Sequence, residues 1–376
     1  MFIEKKLHIK CIIIYGKRNE GGKTLNRIFL ILIIIGVPVS VVGSFLHWPP
    51  ILMFILDCVT IVGLASFMGR ATESLAIVAG PSIGGLLNAT FGNAVELIIS
   101  IFAIKAGLIN VVLASITGSI IGNLLLVGGL SFFVGGLKYK RQRFNIYEAR
   151  HNAGMLIFAI VVSFVFPLIF SMELGEADAK ILSIGISIVM IIIYLAALFF
   201  KLVTHRGVYK QSADEAEHDG EEEPEWSAWK AITVLAGATI AVGYISENLV
   251  HTFEPVAKSF GWTELFIGVI IVAIVGNAAE HASAILMAYK NRMTVTVEIA
   301  IGSTLQIAMF VAPLLVLLSL AFPTFMPLIF SVPELIVMIL AVFLTIAITN
   351  DGDTNWFEGA ILLAAYLIMG FGFFLL

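Results

Sequence analysis

An asparagine and a glutamate three residues apart occur twice in strongly apolar surroundings. Asn93 and Glu96 lie within Gly92-Asn93-Ala94-Val95-Glu96, and Asn277 and Glu280 within Gly276-Asn277-Ala278-Ala279-Glu280. On a helix, a spacing of three puts amide and carboxylate on one face, so each pair offers its oxygens to one centre. Ser119 and Ser303, preceded by Gly118 and Gly302, add a hydroxyl to each pair. Such a hard, all-oxygen set suits calcium, which accepts roughly six to eight oxygens from carboxylates, amide or backbone carbonyls and water. Gly92 and Gly276 beside the pairs permit a close helix approach or an unwound turn that exposes further carbonyls.

A carboxylate in hydrocarbon is costly as an anion, so Glu96 and Glu280 favour the protonated form when no cation is bound. Protons and metal then compete for the same atoms, and either loaded site reorients at lower cost than bare carboxylates. Competition at shared carboxylates is sufficient for exchange of one ion against the other. Polar side chains merely satisfied inside a helix bundle are the plainer explanation for single intramembrane Asn or Ser residues; the duplication of the whole pattern argues against it here. His281 can shuttle protons, tune Glu280 or simply be hydrogen-bonded. Arg70 and Glu73, three apart near one end of a segment, read as an ion pair between helices. Asp351 and Asp353 look like a fragment of a calcium loop, but the later bidentate Glu is missing, so they read as a turn.

The elements that position these residues are membrane helices. The 376-residue chain is 59% hydrophobic and 13% charged, with a mean hydropathy of +1.01, far above the usual globular range. Eleven apolar segments are expected, near 27–46, 50–78, 81–105, 110–136, 148–171, 179–204, 228–250, 262–289, 294–320, 331–349 and 356–376. Their length and lack of alternation disfavour a β-barrel. The two motifs are 184 residues apart, from Gly92 to Gly276, and the same offset relates Ser119 to Ser303. The second copy begins five segments after the first, an odd number, so the copies cross in opposite directions. Inverted repeats of this kind mark secondary transporters, with the substrate site near the midplane.

The expected organisation is a cytoplasmic N-terminal segment (1–25), a first helix plus a first five-helix repeat (26–204), an acidic cytoplasmic linker (205–227) and a second five-helix repeat (228–376). Lys138, Lys140, Arg141, Arg143, Lys201, Arg206, Lys210, Lys290 and Arg292 fall on one side, which places the N-terminus in the cytoplasm and the C-terminus outside. The acidic run from Asp214 to Glu225 reads as a solvated linker, a cation-collecting role being the alternative. A net charge of −4 implies no nucleic-acid partner, and Cys11 and Cys58 make neither a disulfide framework nor a zinc site. Gly21-Gly22-Lys23-Thr24 resembles the tail of a phosphate loop but has Lys17 where that template needs glycine.

The run Gly84-Gly85-Leu86-Leu87-Asn88-Ala89-Thr90-Phe91-Gly92-Asn93-Ala94-Val95-Glu96 and the run Gly276 to His281 resemble the two repeat motifs of bacterial calcium/proton exchangers of the calcium/cation antiporter superfamily. The likeness continues through Gly118-Ser119 and Asn123-Leu124-Leu125-Leu126-Val127-Gly128, and covers nearly everything after residue 25. It implies an all-α polytopic fold of one plus five plus five helices in a bacterial inner membrane. It also implies calcium leaving the cytoplasm as protons enter, the motif glutamates binding each in turn, and no cofactor beyond the transported ions. Ser119, Ser303, Gly92 and Gly276 are then additional ligands or lining, and His281, Gln306, Asn88 and Glu73 further candidates. The bilayer is the expected partner, with room left for a homo-oligomer. Sodium-driven relatives carry Ser, Thr and Pro around the acid; Asn-Ala-x-Glu at both positions favours protons, with sodium/calcium exchange as the alternative and manganese or strontium as other cargo. A cation channel would place acidic rings by subunit symmetry, and an intramembrane enzyme would need more than Glu280-His281.

Overall fold

The computed structural model describes residues 27–205 and 224–376. The expectations for residues 1–25, and for most of the acidic linker, lie outside the described residues. The helices run α1 Arg27–Phe45, α2 Pro50–Ala79, α3 Pro81–Phe91, α4 Ala94–Lys105, α5 Ile109–Lys138, α6 Ile146–Ser171, α7 Glu176–Thr204, α8 Ala228–Phe260, α9 Glu264–Tyr289, α10 Met293–Ser319, α11 Val332–Thr349 and α12 Trp356–Leu375. Among the described residues, ten are long and apolar enough to cross a hydrocarbon layer. Their starts follow local chemistry. Pro50 and Pro81 occupy first-turn positions where no N–H is needed. Asn145 caps α6, and Ser331 with Glu334 and Asn355 with Glu358 form capping boxes on α11 and α12.

Two expectations need correction. The third segment is not one helix: it breaks at Gly92 and Asn93 into α3 and α4. Asn93 leaves helical geometry (φ −100°, ψ 21°), and its side chain turns to Gln306 on α10 instead of capping α4. The same motif in α9 runs through without a break. The seventh segment extends ten residues past 250, to Phe260, where Gly261 closes it in left-handed geometry (φ 68°). Glu254, Pro255 and Lys258 lower its hydropathy there without stopping the helix.

α5 is enclosed on nearly all sides, whereas α1, α7 and α12 present rows of bare aliphatic and aromatic side chains suited to lipid. Successive helices joined by short connections alternate in direction, so the ends at Ala79, Lys138, Thr204, Tyr289 and Thr349 and the start at Ala228 share one face, here the linker face. On that face Gln142–Arg143 (β1) pairs antiparallel with Asp353–Thr354 (β2). Asp351 thus sits in a turn as expected, whereas Asp353 leaves it to join β2 and to accept from Arg141.

At the centre α5 and the first half of α9 pack backbone to backbone. A Cβ added to Gly118 would strike the Val269 carbonyl, and one added to Gly268 would meet Ala114. A Cβ added to Gly302, the counterpart of Gly118 on α10, would meet nothing within 4 Å. Both α5 and α10 widen into a π-helical stretch just after their serines, Gly122–Val127 and Ile307–Val311, at equivalent positions of the duplication. Such stretches re-aim side chains at functional sites.

Candidate ion-binding site

The break between α3 and α4 and the unbroken α9 bring the two motifs face to face. A Cβ on Gly92 would lie 3.2 Å from Glu280 Oε1, and a Cβ on Gly276 would lie 3.4 Å from Glu96 Cβ. Each glutamate therefore occupies the space that the other motif's glycine leaves free. A side chain at Gly92 would press on the Glu280 carboxylate.

Hydrogen bonds link the pairs crosswise. Asn277 Nδ2 donates to Ser119 Oγ at 2.9 Å and to the Ala273 carbonyl at 3.0 Å, while Ser119 donates to Glu96 Oε1 at 2.5 Å. In the other half Ser303 donates to Asn93 Oδ1 at 3.4 Å and lies within reach of Glu280. Asn93 Nδ2 donates to Gln306 Oε1 at 2.7 Å. Asn123, buried in the π stretch of α5, donates to Ser303 at 3.0 Å and accepts at 3.2 Å from His281 Nε2, which carries the proton because an amide oxygen only accepts.

Glu96, Asn93, Asn277, Ser119, Ser303 and His281 are all buried. In both Glu96 and Glu280 the second carboxylate oxygen, Oε2, is buried without any hydrogen-bond partner. Buried polar atoms without partners are rare and expensive, so two at one centre call for a cation or a proton. Among the described residues no three His, Cys, Asp or Glu side chains form a metal-holding group.

A cavity of about 610 Å³ reaches this centre from the linker face, touching Glu280, Gly92, Gly276, Ser303 and Gln306. Glu96 and Ser119 lie beyond its end, under the tight α5–α9 contact. Asn88 and Glu73 stand on its exposed wall rather than in the buried cluster. At the mouth Arg70 does not simply serve its own helix: it binds Glu225 through two guanidinium nitrogens and lies 4.8 Å over the Trp226 ring.

Several residues escaped the sequence reading. Asn123 is embedded in the motif but maps onto Ile307, so the duplication does not flag it. Tyr194 lines the cavity from α7, where its only signal is a tyrosine in an aliphatic run. Asp57 on α2, fully buried, accepts from Ser40 of α1 at 2.5 Å; an acid within an apolar run was its available signal.

The family profile described as "Sodium/calcium exchanger protein" matches residues 49–203 and 230–375. The chain is 70% identical over 352 residues, 94% of this chain and 100% of the relative, to the Ca(2+)/H(+) antiporter ChaA of Bacillus subtilis (strain 168). It is 43% identical over 362 residues to the Ca(2+)/H(+) antiporter of Aphanothece halophytica, covering 93% of this chain and 96% of that one. The solved structure of native YfkE superposes with a TM-score of 0.82 at 64% identity, covering 93% of this chain and 100% of that chain. With its profile spanning both halves and a relative matched from end to end, the chain belongs to the sodium/calcium exchanger protein family.

Proposed function

We propose that this transporter exchanges calcium for protons at one centre built from Glu96 and Glu280, with Asn93, Asn277, Ser119 and Ser303 supplying further oxygens. The chain is a transporter rather than an enzyme, and its relatives at 70% and 43% identity are Ca(2+)/H(+) antiporters. The observation that carries the site is the pair of buried, unpartnered carboxylate oxygens, one on each glutamate. One divalent cation neutralises both carboxylates; a proton on each does the same. Either loaded form removes the charge that would hold the helices from moving through hydrocarbon, whereas the empty, doubly ionised centre is held in place. That difference couples the two fluxes.

The basic residues Lys138, Arg141, Arg143, Lys201, Lys290 and Arg292 gather on the linker face, which makes that face cytoplasmic in a bacterial plasma membrane. The cavity is then the cytoplasmic vestibule from which calcium loads for export. The C-terminus lies outside. Asn-Ala-x-Glu at both motifs supports protons over sodium as the driving ion.

The test is calcium uptake into proteoliposomes under an imposed pH gradient without sodium, comparing the native chain with Glu96→Gln and Glu280→Gln. Uptake that collapses with the gradient and is lost in both variants is expected. Uptake that needs sodium, or that survives both substitutions, would overturn the reading.

A further inference from the structure

Lys201, near the end of α7, points an ammonium between two carboxylates from different helices: Glu148 of α6 at 2.9 Å and Glu298 of α10, which it also contacts. All three line the cavity that leads to Glu280. From these placements we infer that Lys201 is a resident cation in the vestibule, which incoming calcium displaces from Glu148 and Glu298 on its way to Glu280. The inference rests on the calcium/proton reading above and assigns Lys201 as a positioning residue for cation capture.

Three observations carry it. First, the ammonium takes up the two carboxylates that a passing divalent ion would use, and a doubly charged cation gains more from two carboxylates than a single ammonium does. Second, the Lys201–Glu298 arm of the bridge is open to water, with side-chain exposures of 50% and 44%, while Glu148 is 20% exposed; a screened pair such as Lys201–Glu298 is weakly held and exchanges readily. Third, the bridge is not duplicated. Positions 184 residues from Glu148 and Glu298 are Val332 and Ala114, so the sealed face carries no such triad. It is a device of the linker face alone.

The surrounding charges set the sign of the effect. Arg70 and Lys201 face Glu73, Glu148 and Glu298, with Glu225 bound to Arg70 and His151 on the same wall. Removing the Lys201 charge makes this mouth more negative and leaves both carboxylates to the incoming ion.

The experiment is the initial rate of calcium uptake into inside-out membrane vesicles under an imposed pH gradient, with calcium varied, at low and high ionic strength. Lys201→Gln should lower the half-saturating calcium severalfold at low salt, with the difference shrinking at high salt. Lys201→Arg should behave as wild type, and Glu148→Gln and Glu298→Gln should raise half-saturation. A Lys201→Gln protein that folds but keeps wild-type half-saturation, or that loses only maximal rate, would overturn the inference and leave Lys201 a strut. Absence of gradient-driven uptake by the wild type in the same vesicles would instead sink the exchange reading itself.

Discussion

Gly118 of α5 lies against the Val269 carbonyl of α9 with no room for a side-chain carbon, while Gly302, its counterpart on α10, faces open space. The duplication maps Val269 onto Gly85 of α3. The molecule is shut where α5 meets α9, whereas Gly302 and Gly85 both line the cavity, Gly85 packing on Leu202 of α7; the opposite access state should exchange the two relationships.

Gly302→Val tests this directly. In the open form a Cβ at this position meets nothing within 4 Å, so the protein should fold, and a cysteine placed at Ser283 on the cavity wall should still be labelled from the linker face. Closure of α10 on α3 should be blocked, lowering exchange about tenfold or more, the equivalent of ~1.4 kcal/mol against the closed state. Wild-type turnover in Gly302→Val would show that the two halves do not trade places.

Calcium should stabilise the folded protein through the two glutamates. Ligand at about 100 times its dissociation constant adds ~2.7 kcal/mol, which a thermal-unfolding series in detergent resolves. Glu96→Gln and Glu280→Gln should unfold at wild-type temperature or above without calcium, because each removes the cost of holding an ionised carboxylate in the buried centre, and should lose the calcium-dependent shift. A shift that persists in both variants would place calcium elsewhere.

Acid should weaken calcium binding, with a steep dependence. Calcium needs the ionised carboxylates and protonation removes them, so half-saturating calcium rises as pH falls, by about tenfold per unit for each proton displaced and up to ~100-fold for two. Half-saturation measured across pH on the cavity side checks the sign and the slope; a flat profile would separate the proton site from the metal site.

His281 should prove a positioner. Its Nε2–H is committed to Asn123, which in turn donates to Ser303. His281→Gln keeps a donor and should retain exchange with an unchanged pH profile, whereas His281→Phe leaves the Asn123 oxygen unsatisfied and should cost ~1–3 kcal/mol of stability. Loss of exchange in both, with folding intact, would restore the proton-shuttle role.

Much of this was legible in the sequence because the physics is periodic and local. Hydrophobic run length marks a span, and two Asn/Glu pairs with serines at one offset mark a centre. The break at Asn93 was not legible, because an identical Gly-Asn-Ala motif stays helical in α9; the partner that the Asn93 side chain takes, Gln306, lies far along the chain and its counterpart is Gly122. The vestibule charges were hidden for a similar reason. Glu148, Lys201 and Glu298 each look like an ordinary helix-end charge until three helices are brought together. Asp57 carried a signal, an acid in an apolar run, but its partner Ser40 belongs to the helix outside the duplicated pattern.

At the offset of 184 that relates the two motifs, Asn123 falls on Ile307, Gln306 on Gly122 and His281 on Leu97, so part of the polar lining is not repeated with them. A perfect duplicate would spend equal time open to either side and would run forward and backward at equal speed under mirrored gradients. Unequal linings give the two states different free energies. The ion gradients alone still decide which way net exchange goes, but the protein sets where it waits between cycles and which direction it runs faster.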